Sequence, residues 1–238
     1  MSEKSGCVKI KSSFFESLWL CVGFGFAVSF VSTGFAACPG DPHFNRRSVI
    51  HFSGGPHRPV YFHNLSTAQI EAMRHTLPHP GMMHNPGLTM GEHQFTSKCQ
   101  IGGNKRSDQP DLCVWADSVQ VWFACTKMNV YLSSNYRKGT CPYNVILDHE
   151  NQHVAINTRV FNKYSALLRR ALFAADIPTK ANPLSVRSLE EGRLVISGRI
   201  GSILKTNNES FQQELIIENA KIDTMENYRR TQARCKGW

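Results

Sequence analysis

From Asn144 to about Ala175 the pattern is that of one long helix, and this run constrains the chain more than any other feature. Pro142 stands at a first helical position behind Thr140 and Cys141, and Pro178 closes the run just past its end. About one turn into it lies the stretch ILDHENQHVAIN, residues 146–157, with His149, Glu150 and His153 in the order H-E-x-x-H. Residues four apart share a helix face, so His149 and His153 can turn two imidazoles toward one ion, as Zn2+ requires. Glu150 is rotated by about 100° from His149. Its carboxylate then stands beside the ion, where it can take a proton from activated water and pass it to a leaving amine.

The remaining residues narrow the ligand set. The extended form H-E-x-x-H-x-x-G-x-x-H is absent, because Ile156 and Arg159 occupy the glycine and third-histidine positions. No histidine follows His153. A downstream third ligand must therefore be a carboxylate, unless the segment from His43 to His93 folds back to supply a histidine. Phe211, Leu215, Glu218 and Ile222 fall on one helical stripe, which makes Glu218 the acid in the middle of a face expected to be buried. Glu218 is the first candidate for the third ligand. A salt bridge from Glu218 to Arg169 or Arg170 is the competing reading, and Glu214, Asp223 and Glu226 are the other acids within reach. Asp223 and Glu226 match a capping box, D-x-x-E, at the start of a last short helix. The remaining histidines, His43, His51, His57, His63, His75, His79, His84 and His93, read as solvated loop residues. Tyr164 and Tyr228 each carry a hydroxyl able to donate to an oxyanion, and spacing places neither.

Around the long helix the sequence reads as a mixture of strands and helices. Val119 to Cys125 and Val130 to Leu132 suggest two antiparallel strands joined near Thr126 to Asn129. Ser66 to Gln69 suggests a capping box opening a helix that carries Ile70, Met73 and Leu77. Residues 37–63 read as an irregular arm with at most one short strand, and residues 78–112 as a stapled loop region. Asn182 to Lys205 is a helix candidate capped at Asn182, although its glycines also permit an extended segment at RLVISGRI. Phe211 to Ile222 is a clearer helix.

The first 36 residues differ from the rest. Lys4, Lys9 and Lys11 precede an apolar run from Leu18 to Val31, and Gly34 and Ala36 are the small residues before a cleavage point. This is the pattern of a secretory signal peptide over residues 1–36, leaving a single domain over 37–238 with no stable membrane span. Six cysteines remain after it, Cys38, Cys99, Cys113, Cys125, Cys141 and Cys235, and an exported chain pairs such cysteines as disulfides. Cys235 is placed to pin the C-terminal tail. The formal charge is +9, but the cations are scattered and form no long block, so no nucleic-acid partner is indicated.

The segment NVYLSSNYRKGTCPYNVILDHENQHVAIN, together with IDTMENYRRTQARC, resembles a group of bacterial exported proteins similar to secreted zinc-dependent proteases. The resemblance covers roughly Cys113 to Cys235 and centres on H-E-x-x-H. It implies an α+β, zincin-like fold, with a small antiparallel sheet packed on the H-E-x-x-H helix plus C-terminal helices. It also implies a periplasmic or secreted location. The family's histidine in a T-x-H-G segment has no counterpart, since Ala233 and Arg234 stand there. The expected function is a zinc metallopeptidase acting on a peptide or protein substrate, with Glu150 catalytic and His149, His153 and Glu218 as ligands. The alternatives are a non-catalytic envelope or binding protein on the same scaffold and an amidase acting on cell-wall peptides.

Overall fold

The computed structural model describes residues 6–11, 38–43, 49–75, 86–105, 111–236 and 238, with residues 6–11 and His75 described by their backbone alone. The leader expected over 1–36 lies outside the described residues except for Gly6–Lys11, and so do Leu77, His79 and His84.

The fold is α+β. Its axis is β5 (Leu112–Ser133), a 22-residue strand, paired antiparallel along its length with β4 (Gly87–Lys105). On the other side of β5, β6 (Leu184–Val186) is antiparallel, while β2 (Ile50–Ser53) and β3 (Val60–Leu65) run parallel to it. β1 (Gly6–Lys11) pairs antiparallel with the outer side of β4. The expectation of a small antiparallel sheet is thus corrected to a mixed sheet of six strands.

Residues 119–132, expected as two strands, form one. Thr126 is the extra residue opposite the step from Glu92 to His93, so a bulge absorbs the polar break. Beside it Lys127 pairs with Glu92 across the ladder at 3.0 Å, which keeps the polar side chains on the solvent face. The expected arm at 37–63 contributes two strands, and the expected loop region contributes β4.

Helix α1 (Thr67–His75) begins at the capping box read from the sequence: Gln69 N donates to Ser66 Oγ and Ser66 N to Gln69 Oε1. Helix α2 (Cys141–Ala174) starts after the turn at Gly139, whose φ of +82° suits glycine. Its buried stripe runs from Val145 and Ile146 through His149, Glu150, His153, Ile156 and Asn157 to Val160, Phe161, Tyr164, Leu168 and Leu172. Helix α3 (Leu189–Ile222) starts later than expected. Its cap is Ser188, whose side chain accepts from Glu191 N, while Glu191 Oε2 accepts from Arg187 N. The candidate residues before Ser188 form β6 instead. Helix α4 (Met225–Gln232) follows directly.

α2 and α3 pack antiparallel against each other and the sheet, as the contacts His153–Asn219, Arg159–Glu218 and Tyr164–Asn207 show. Phe123 is the centre of the core, with ring centroids 4.0 Å from Phe95, 4.3 Å from Phe161 and 5.4 Å from Phe211. Disulfides join Cys38 to Cys113 and Cys141 to Cys235, the second tying the chain end to the start of α2. Cys99 and Cys125 are buried free thiols, so the expectation that all six cysteines pair is corrected. The disulfides fit an oxidising compartment. Among the described residues, no helix is long and apolar enough to cross a membrane.

Candidate metal centre

Where the buried stripe of α2 should be apolar, it carries His149, Glu150, His153 and Asn157, each less than 10% exposed. Buried polar groups at such positions are costly unless partners satisfy them. The partners come from α3, α4 and β4.

α3 ends on Asp223, which leaves helical geometry at ψ 49° while its N–H still donates to Asn219 O. Asp223 Oδ1 lies 3.2 Å from His149 Nε2 and 3.2 Å from His153 Nε2, and the two imidazole nitrogens are themselves 3.2 Å apart. A tetrahedral zinc site with bonds of about 2.0–2.1 Å sets neighbouring ligand atoms about 3.3–3.4 Å apart. The three ligand atoms therefore form a nearly equilateral face of the size that zinc takes. Among the described residues this is the one His, Cys, Asp and Glu group whose ligand atoms converge closely enough to hold an ion.

The third ligand expected from the sequence must be corrected. Glu218 is not in the cluster: its carboxylate takes Arg159 Nη2 at 2.7 Å and also pairs with Lys221. These cations hold the Glu218 carboxyl below its usual pKa range, with the Lys221 hydrogen bond foremost and Arg159 next. Glu218 is thus an ion-pair residue on the flank of α3, whereas Asn219 and Asp223, four residues apart, meet the histidines. The expected capping box at Asp223 is displaced by one residue. Thr224 caps α4 by accepting from Asn227 N, which leaves the Asp223 carboxylate free to face the histidines.

Asn219 settles the state of His153. Its Nδ2 donates to Leu215 O at 2.8 Å, so its Oδ1 is the atom 2.7 Å from His153 Nδ1. An amide oxygen only accepts, so His153 Nδ1 carries the proton and Nε2 is the nitrogen turned to the cluster. On His149 the other nitrogen, Nδ1, is buried with no hydrogen-bond partner among the described residues. Tyr228 donates to Asp223 Oδ1 at 2.7 Å, and its hydroxyl lies 3.5 Å from His149 Nε2.

Burial opposes charge on His153, but the Asp223 hydrogen bond, the Glu150 and Asp223 charges and the Asn219 hydrogen bond prevail and raise it to about 9. Burial likewise opposes charge on Asp223, yet hydrogen bonds from His149 and His153 hold its carboxyl well below the usual range. Burial, followed by the Asp223 charge and hydrogen bond, pushes the Tyr228 hydroxyl well above its ordinary value.

The Glu150 carboxylate, on the residue next to His149, is held by the end of β4. Thr89 Oγ1 donates to Glu150 Oε2 at 2.7 Å. Gly87 lies against the same carboxylate so closely that a Cβ there would sit 2.4 Å from Oε1. Arg74, 6% exposed on α1, holds that strand end by donating to Gly87 O at 2.6 Å. Burial raises the Glu150 pKa, and His153, His149, Thr89 and Arg74 partly offset the rise. A carboxylate raised in this way is suited to accepting and returning a proton.

Of the sequence candidates, His149, Glu150 and His153 come together, and Tyr228 joins them. Tyr164 does not; its hydroxyl donates to Glu214 at 3.0 Å. His63 bonds Tyr136 O, and His93 meets Phe211 edge-on, with ring centroids 4.7 Å apart. Sequence reasoning missed Arg74, Gly87, Thr89 and Asn219. Only Asn219 left a signal, lying four residues before Asp223 on the same helix face. No family model matches this chain, and neither a curated protein nor a solved structure matches it significantly.

Proposed function

We propose that the protein is a zinc-dependent metallopeptidase with a zincin-like arrangement, acting in the periplasm or outside the cell. The observation that carries the reading is the convergence of His149 Nε2, His153 Nε2 and Asp223 Oδ1 at 3.2 Å from one another, with the Glu150 carboxylate on the next residue of the same helix. A donor set of two imidazoles and a carboxylate is of the kind that holds catalytic zinc, whose fourth position goes to water or substrate. Zinc held there supplies Lewis acidity, polarising a carbonyl and lowering the pKa of water.

The chain's own residues have separate tasks in this reading. Asn219 keeps the His153 proton on Nδ1, and Tyr228 holds the Asp223 oxygen in place. Thr89 and Gly87 define where the Glu150 carboxylate sits. Glu150 takes the proton from the attacking water and delivers it to the departing amine nitrogen. Burial of His149, Glu150 and His153 limits competing solvent around them and strengthens these interactions.

The test compares mature protein with Glu150→Gln on a mixed peptide library, with bound metal measured in both. The proposal expects wild-type cleavage that a chelator abolishes and zinc restores, and a variant that binds metal but does not cleave. Equal cleavage by both proteins removes the catalytic assignment. Metal binding without cleavage by either supports the non-catalytic reading, and release of fragments from purified wall material alone supports the amidase.

A further inference from the structure

A second feature surrounds the metal cluster. The turn before α2 carries Arg137 and Lys138, and the C-terminal segment carries Arg229, Arg230, Arg234 and Lys236, all exposed. The disulfide from Cys141 to Cys235, with Cα atoms 5.7 Å apart, joins these two segments, and Tyr136 packs edge-on against Trp238 at 5.7 Å. Acidic residues nearby are few. Asp148 is paired with Arg234 at 2.9 Å, and Glu226 is the one acid on α4.

This group adjoins the site from two directions. Asp148, which holds Arg234, immediately precedes His149 on α2. Arg229 immediately follows Tyr228, whose hydroxyl reaches Asp223. The cations are therefore gathered on the flank of the cluster, although the sequence scatters them. Arginine forks and lysine ammonium groups match carboxylates, and a rim of one sign raises the local concentration of an oppositely charged substrate.

We propose that this rim selects acidic peptides, with Asp or Glu side chains close to the bond presented to the metal cluster. The inference rests on the peptidase reading for the word substrate; recognition itself does not require turnover. Arg229, next to Tyr228, and Arg230, one residue further and donating to Asn227 at 2.9 Å, are its specificity-determining residues, and Arg137 and Lys138 extend the same field.

The experiment uses the full mature chain carrying Glu150→Gln, so that nothing is turned over. Fluorescent peptides of equal length, alternating Gly with Glu, Ser or Lys, and a DNA oligonucleotide of the same charge as the Glu peptide, are titrated by anisotropy. The Glu peptide should bind at least about tenfold tighter than the Ser peptide, with an affinity falling steeply from about 50 to about 300 mM salt. Arg229→Glu with Arg230→Glu should remove that preference. Arg170→Glu with Arg187→Glu, an equal charge change at exposed positions near the end of α2 and just before α3, should leave it within about twofold. Equal binding of the Glu and Ser peptides, equal loss in both double variants, or DNA bound as tightly as the Glu peptide overturns the proposal. If the preference holds while unmutated protein cleaves none of the peptides, the peptidase reading fails and the acidic-peptide surface stands.

Discussion

Replacing Asn219 with leucine tests the most specific physical claim about the centre. Leucine is close to asparagine in size and keeps helix α3 intact, but it offers His153 Nδ1 no acceptor. The hydrogen bond lost is the 2.7 Å contact that keeps the Nδ1 proton in place and leaves Nε2 toward the cluster. Loss of such an outer partner of a metal-binding histidine costs about 10–100-fold in metal affinity, or about 1.4–2.7 kcal/mol. Asn219→Asp, which supplies a stronger acceptor, should bind zinc at least as tightly as the unmutated chain. The assay is a zinc competition titration with a chromophoric chelator near neutral pH. Circular dichroism of each metal-free protein separates lost affinity from lost folding. A leucine variant with unchanged zinc affinity and an intact fold would refute the claim that Asn219 sets the His153 tautomer.

Gly87→Ala places a methyl group about 2.4 Å from Glu150 Oε1, so either β4 or the carboxylate must move; we expect stability to fall by about 1–3 kcal/mol in chemical denaturation, with cleavage reduced and zinc binding retained. His93 adds a pH dependence of its own, because burial lowers its pKa from 6.5 to about 4. The unfolded chain then binds the extra proton between those values, so the His93 contribution to stability is full above pH 6.5, falls as pH drops, and is gone by about pH 4. The difference amounts to roughly 3 kcal/mol in urea titrations of metal-free protein, and His93→Phe should flatten that part of the curve. Replacing Cys141 and Cys235 together by alanine opens a 94-residue separation. The expected loss approaches about 4–5 kcal/mol by denaturant unfolding, and α4, with Tyr228, should become the first segment to exchange amide hydrogens.

The part of the centre built from one helix was legible in the sequence, because spacing alone puts His149, Glu150 and His153 on neighbouring positions of α2. The third ligand was not, for two physical reasons. A stripe of residues shows which face of a helix is buried but not what charge stands opposite, and Arg159 on α2 meets Glu218 across the helix pair. Asp223-x-x-Glu226 also has the form of a cap, while the working cap is Thr224 with Asn227, one residue later. Gly87 and Thr89 reach the site through the long β4–β5 ladder, and Arg74 through its hydrogen bond from α1 to Gly87 O, contacts that no local pattern encodes. The bulge at Thr126 hid the continuity of β5 in the same way: one extra residue breaks the alternation without ending the strand. The helix ends were readable where side chains define them, as at Ser66 and Gln69. The start of α3 at Ser188 was obscured by Pro183, which mimics a first helical residue but lies at the entry to β6.

Zinc affinity of two single variants, measured side by side, addresses the centre most directly. Asp223→Ala removes the oxygen that lies 3.2 Å from both imidazole nitrogens, and Glu218→Ala removes a carboxylate engaged by Arg159 and Lys221. The account predicts one zinc per chain in the unmutated protein, nearly the same affinity in Glu218→Ala, and a loss of at least about a hundredfold in Asp223→Ala. Retained affinity in Asp223→Ala, or its loss in Glu218→Ala, would contradict it.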